Sequence, residues 1–319
     1  MNSVAVICAY FGKLPSCYGV WQRSCEYNPS IDFLLFTDQK VPEHPQNIHV
    51  IAMDFEDIKA LVDRKMGCHV ALEYPYKLCD LKPMYGVIFE DYIKYYDYWG
   101  HCDMDMVFGD IRSFFDRYEL EKYDKFLDLG HLSLYRNTVE NNYRFKCDGS
   151  QCGSWENVVN ESKGHAFDER NGIYQIYKSN GFSVFDKRIY ADIAIIYKRF
   201  RCALEDVNYD QQIFYWERGK TFRDYWVNGE RKSEEFIYIH FKKRDFKTPD
   251  FLPEKSTMFY IGPNGFTEKQ GETNVDIVAQ VNPFKGSLHE KLELIYFKFS
   301  FYKNRIFDRI KDGGASNGK

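Results

Sequence analysis

Residues 101–110 read HCDMDMVFGD. Asp103 and Asp105 stand two apart inside an apolar stretch, with Asp110 close behind. The preceding Tyr98-Trp99-Gly100-His101-Cys102 is aromatic-rich and has the composition of a strand. Residues two apart on a strand point to the same side. The two carboxylates therefore face one point, where their repulsion grows with burial. A divalent cation relieves both charges. Hard oxygen ligands suit magnesium or manganese, which keep waters and bind substrate phosphates. A bare D-x-D also serves as a turn or a cap. Position separates this one: a hydrophobic strand precedes it and Met106-Val107-Phe108 follows it.

Three apolar runs lie upstream. Val4–Ala9 ends in Tyr10-Phe11-Gly12, Ile31–Phe36 ends in Thr37-Asp38, and Ile48–Met53 comes third. Tyr18–Tyr27 and Phe55–Met66 read as helices. Strands alternating with helices predict an α/β fold with a mixed, mainly parallel sheet flanked by helices. In such sheets ligands bind at the carboxyl ends of strands, which puts Tyr10 and Asp38 on the expected ligand edge. A helix is predicted to begin near Pro83, where proline suits a first turn. Further strands are predicted at Lys125–Leu129 and at Phe236–His240, the second ending in a histidine. Residues 140–180 are polar and read as long loops around short helices. Residues 245–285, with Pro249, Pro253, Pro263 and Pro283, read as an irregular wrap.

The 319 residues are 44% hydrophobic and 18% aromatic, ample for a substantial core. A net charge of -4 argues against binding a polyanion by bulk charge, so nucleic acid is not an expected partner. The start, MNSVAVICAYFG, lacks the basic lead and apolar core of a secretory signal. No run approaches the roughly 18 apolar residues of a spanning helix. The expectation is a cytoplasmic protein, or one held peripherally at the inner face of the cytoplasmic membrane. Nine scattered cysteines suit a reducing compartment.

Near the end, Leu288, Leu292, Ile295, Phe299, Tyr302, Ile306 and Ile310 recur at spacings of three and four, one face of a helix. Lys298, Lys303, Arg305, Arg309 and Lys311 decorate the rest. Such a helix either closes on the domain or lies on an anionic membrane. The last residues, GGASNGK, are predicted to be disordered.

PYKLCDLKPMYGVIFEDYIKYYDYWGHCDMDMVFGDI (75–111) and IYIHFKKR (237–244) resemble bacterial glycosyltransferases of capsule and lipopolysaccharide gene clusters, a largely uncharacterised family of the GT-A class. The resemblance spans about residues 1–245. It implies a GT-A (Rossmann-like) fold, a nucleotide-sugar donor, most naturally a UDP-sugar, and dependence on Mn2+ or Mg2+. The implied layout is a transferase domain over 1–285, with a nucleotide-binding half (1–125) and an acceptor-side half (126–285). A C-terminal amphipathic helix (286–312) and the tail (313–319) would follow.

By the same resemblance His240 completes the metal shell with Asp103 and Asp105, and Lys242, Lys243 or Arg244 meets the diphosphate. Lys77, Asp80 and Lys82 precede the motif where such enzymes touch the donor's sugar or diphosphate. Tyr10 and Asp38 match the positions that stack on the base and contact base or ribose. Gly130-His131 would line the donor cleft.

Asp168 and Glu169, in the loop-rich segment, are candidates to orient or deprotonate an acceptor hydroxyl. The acceptor would be a surface glycan or a lipid-linked oligosaccharide. Asp210-Gln211 match an Asp-Gln pair of some sugar-retaining transferases over two residues only. Each of these residues also has a plain reading as core, cap or solvated surface. The competing functions are a non-catalytic glycan- or nucleotide-binding protein of the same fold, and a sugar-nucleotide hydrolase or nucleotidyltransferase. The last two usually carry a Gly-rich phosphate loop after the first strand, and Phe11-Gly12-Lys13 is too short to be one.

Overall fold

Every residue of Val4–Ala9 is apolar, and in the computed structural model this run becomes strand β1 near the middle of the largest sheet. Residues 2–203, 207–252 and 258–314 are described, with backbone alone from 301 onward. β1 pairs in parallel with β2 (Asp32–Thr37), and β2 with β3 (Ile48–Ala52). On its other side β1 pairs in parallel with β4 (Tyr98–Cys102), which leads to β5 (Met106–Phe108) of another sheet. β6 (Lys125–Phe126), β7 (Leu132–Arg136) and β8 (Val184–Phe185) complete seven strands in the order β3-β2-β1-β4-β7-β6-β8. Only β7 runs against the rest. The molecule is thus a mixed α/β protein.

Both faces of this sheet are covered, which explains the unbroken apolar runs. Val4, Val6 and Cys8 enter one core cluster, and Ala5 and Ile7 enter the other. The helix Phe55–Met66 begins where the sequence reading placed it. Asp54 accepts from the backbone of Asp57, and Asp57 accepts from the backbone of Asp54. Gly67, at φ 71, ends it. An N-cap of this kind is worth about 1 kcal/mol.

Two further sheets follow. β9 (Ala191–Asp192) belongs to a three-stranded one. β10 (Gln212–Glu217), β11 (Lys220–Val227) and β12 (Glu230–Phe236) form an antiparallel meander. β13 (Tyr238–His240) leaves it, and β14 (Met258–Gly262) and β15 (Gly265–Glu268) return, giving the order β12-β11-β10-β14-β15.

Four expectations are corrected here. The helix near Pro83 is a chain of short turns: Leu78–Leu81, Lys82–Met84, Tyr85–Ile88 and Glu90–Ile93. Pro83 has no N–H to extend a regular ladder. Gly86 lies so near β4 that a Cβ would sit 2.7 Å from the Trp99 ring. The strand at Lys125–Leu129 stops at Phe126, because Leu127 turns into the left-handed region at φ 72. The strand at Phe236–His240 is two strands broken at Ile237, which pass between sheets. The segment 245–285 is not irregular throughout, since it supplies β14, β15 and the helix Val275–Val281.

The last helix is Ser287–Gly314. Its first turn is held by Glu290, which pairs with Arg199 (2.9 Å) and Arg201. Leu288, Leu292, Ile295, Tyr296 and Phe299 are exposed, so the described part of the stripe is uncovered. The side chains of Tyr302, Ile306 and Ile310, and residues 315–319 of the predicted tail, lie outside the described residues. No described helix is long and apolar enough to cross a membrane.

Candidate active site

The three-stranded sheet explains how distant residues meet. β13 pairs antiparallel with β5, with His240 opposite Met106, and parallel with β9, with His240 beside Asp192. The start of β5 and the ends of β9 and β13 therefore share one edge. That edge gathers Asp105, Asp192 and His240. Asp103 joins from the β4–β5 turn, its backbone N–H donating to His131 at 2.9 Å. Ligand atoms of Asp103, Asp105 and His240 all lie within 4.8 Å of one another. They face a cleft of ≈ 1280 Å³ whose walls include Tyr10, Tyr76, Lys82, His131, Asp168, Glu169 and residues 242–246.

His240 is buried between two carboxylates. Its Nε2 is 3.3 Å from Asp105 and its Nδ1 is 3.0 Å from Asp192. Burial would lower its pKa, yet the hydrogen bonds to Asp105 and Asp192 raise it to about 9. Burial likewise works against ionisation of Asp192, but the bond from His240 outweighs it and brings that carboxyl down to about 2. Asp105 is also lowered, its burial outweighed by His240. The His131 ring lies 3.7 Å from that of His240, centroid to centroid, and burial holds it well below the usual histidine range.

A second cluster on the cleft wall is built around Lys82, buried with its ammonium between three acceptors. It donates to Asp103 at 2.6 Å and to the Gly130 carbonyl at 2.9 Å, and it lies 3.3 Å from Asp168. Gly130 permits this packing, since a Cβ there would fall 2.2 Å from the Asp168 carboxylate. Burial pushes Asp168 up to about 7; Lys82 pulls against this, and Glu169 and Asp103 add to it. Glu169 is raised as well, chiefly by burial.

Other candidates are placed differently. Asp38 is exposed, accepts from the Gly12 N–H at 2.9 and 3.1 Å, and does not line the cleft. It pins the turn that follows Tyr10. Lys77 and Asp80 reach the cleft wall but are spent on a loop: Lys77 donates to Asp80 (3.0 Å) and to the Lys163 carbonyl (2.8 Å). Asp80 accepts from the backbones of His165 and Phe167, which leads directly to Asp168.

Lys242 pairs with Asp192 at 2.9 Å. Lys243 reaches the Tyr76 hydroxyl at 3.1 Å. The Arg244 guanidinium donates to the carbonyls of Phe241, Ala194 and Tyr197. Asp210 and Gln211 are exposed and line no part of the cleft. Asp192 escaped the sequence reading. Its signal was available: an acid between apolar neighbours in Tyr190-Ala191-Asp192-Ile193, the same oddity that marks Asp103 and Asp105.

Two carboxylates and an imidazole within reach of one another suit a hard divalent cation. The family model described as "Family of unknown function (DUF6625)" matches residues 6–270, and the chain belongs to that family. No curated protein matches the sequence. Among solved structures the chain is similar to the apo form of mouse xyloside xylosyltransferase 1. Identity is 9% and the TM-score 0.39, covering 60% of this chain and 88% of that one. That likeness is too distant to carry an argument about chemistry.

Proposed function

We propose that this protein is a metal-dependent glycosyltransferase of the GT-A class. It would move a sugar from a nucleotide sugar, a UDP-sugar first among them, to a bacterial surface glycan or a lipid-linked oligosaccharide. The observation that carries the reading is the meeting of Asp103, Asp105 and His240 at the edge of a large cleft. Manganese or magnesium bound there would supply Lewis-acid neutralisation of the charge that builds on a departing nucleoside diphosphate.

The chain's own groups divide the remaining work. Tyr10 offers an aromatic face for the base. Of the three basic candidates Lys243 is best placed for the diphosphate, since its ammonium meets a neutral phenol while Lys242 and Arg244 are engaged elsewhere. Lys82 orients Asp103 and holds Asp168 close to it. Asp168, titrating near 7, has the basicity to take a proton from an acceptor hydroxyl at neutral pH. Glu169 lies beside it to orient that hydroxyl.

The test uses a panel of nucleotide sugars with and without manganese. One nucleotide class should raise the melting temperature only when metal is present. Hydrolysis of that donor should be lost in Asp105→Ala while the fold is kept. Unchanged turnover in that variant removes the assignment.

The exposed face of Leu288, Leu292, Ile295 and Phe299, with Lys291 and Lys298 nearby in sequence, supports peripheral attachment to an anionic membrane from the cytoplasmic side. The whole chain should co-sediment with anionic vesicles and not with neutral ones. The double variant Leu292→Asp, Phe299→Asp should stay in solution. Equal sedimentation of variant and wild type rejects the attachment.

A further inference from the structure

We propose that Asp192 is a positioning residue for His240: it takes the Nδ1 proton in a hydrogen bond and so turns Nε2 toward Asp103 and Asp105. The inference rests on the metal-dependent reading above. It goes beyond it, because Asp192 has no role in that reading.

An imidazole ligates through a nitrogen that carries no proton, and the partner of the other nitrogen decides which one that is. Here the partners are unequal. Nδ1 faces Asp192 at 3.0 Å, and Nε2 faces Asp105 at 3.3 Å. Asp105 belongs to the candidate ligand set. Asp192 does not line the cleft. A proton left on Nδ1 thus bonds to a carboxylate behind the ring and leaves the cleft side of the ring free.

The backbone fixes this arrangement. His240 and Asp192 are register partners of two parallel strands, and Ile193 donates its N–H to the His240 carbonyl at 2.9 Å. His131 packs against the ring, and Lys242 at 2.9 Å occupies the second oxygen of Asp192. Each of the two Asp192 carboxylate oxygens thus has a partner.

His131, Asp192 and His240 also lie close enough to form a ligand set of their own. Their present contacts disfavour it. Both Asp192 oxygens are engaged, and the Lys242 ammonium sits beside the space a cation would need. The cluster is a lock on a tautomer, and its carboxylate is a neighbour of the site. Carboxylates behind a ligating histidine typically contribute 10- to 100-fold in metal affinity.

Manganese affinity of the full chain, read from the EPR signal of free Mn2+, tests this without any turnover. Asp192→Ala and Asp192→Asn should each bind Mn2+ roughly 10- to 100-fold more weakly than wild type. His131→Gln should bind within about threefold of wild type, as expected for a packing neighbour that donates no ligand atom. Unchanged affinity in both Asp192 variants overturns the inference and leaves the metal reading standing. A loss in His131→Gln as large as in His240→Ala makes Asp192 a ligand and overturns the positioning role. Absence of Mn2+ binding by wild type at millimolar metal overturns the metal reading and this inference with it. Folding of the variants does not limit the test. Long-range 1H–15N spectra of wild type with Mg2+ should show His240 protonated at Nδ1, and protonation at Nε2 alone rejects the proposal.

Discussion

Two acidic clusters, one around His240 and reaching behind the cleft, the other around Lys82 on its wall, carry similar groups under opposite electrostatics. In the first, Asp105 and Asp192 each hold a hydrogen bond from His240, and both are pulled down, Asp192 to about 2. In the second, Asp168 shares a single lysine with Asp103 and sits beside Glu169, and it is pushed up to about 7. Burial works against ionisation in both. Cationic partners win around His240, whereas around Lys82 burial wins with the added repulsion of Glu169 and Asp103. The His240 cluster is therefore committed to charge, as a cation site requires. The other is poised to exchange a proton, as an acceptor site requires.

The largest expected effect breaks the charged cluster. Asp105→Ala should lower donor turnover by roughly 10³-fold, the loss of about 4 kcal/mol of charge stabilisation. Without metal it should still unfold cooperatively, with a melting temperature lowered only by the loss of the His240 contact.

Next comes the lysine that Asp103 and Asp168 share. Lys82→Met leaves Asp103 and Asp168 without their cation and should cost about 3 kcal/mol in urea unfolding at pH 8. The cost should shrink at pH 6, where Asp168 is largely protonated. Adding Asp168→Asn should recover part of it, and strict additivity in that double-mutant cycle contradicts the shared role.

The smallest effect is the most discriminating. Asp168 has a folded pKa above its unfolded value, so between about pH 4 and 7 the folded chain binds more protons and stability falls as pH rises. Asp192 has a folded pKa below its unfolded value. Its contribution, roughly 2 kcal/mol, is present above about pH 4 and is lost toward pH 2. Asp168→Asn should flatten the first slope, and Asp192→Asn should flatten the second. The same sign in both variants, measured by chemical unfolding without metal, erases the distinction between the two clusters.

Much of the main sheet was legible because parallel strands buried on both faces write themselves as apolar runs, as in Val4–Ala9 and Phe33–Phe36. The helix Phe55–Met66 was bracketed by Asp54 and Gly67, and Asp103, Asp105 and His240 stood out as polar groups at strand ends. The antiparallel sheet was not legible. β12 reads ERKSEEF and is exposed over its first four residues, an edge strand blunted with charge and lacking apolar alternation. Its turns did leave a signal. Asn228-Gly229 and Arg218-Gly219 both adopt positive φ, as two-residue hairpins demand. Asp38 misled for another reason. Its place after a strand put it on the expected ligand edge, while the Gly12 backbone N–H claimed its side chain.

The five-stranded platform contributes no residue to the cleft wall, yet only Ile237 separates its last charged strand from the one that ends in His240. Trp216 reinforces the junction by donating its indole N–H to the carbonyl of Phe108 at 3.0 Å. Shortening the gene before Gln212 would keep Asp103, Asp105, Asp168 and Glu169 and discard the beam that carries the histidine. Anyone exchanging donor-side modules between relatives would have to move both pieces as one unit.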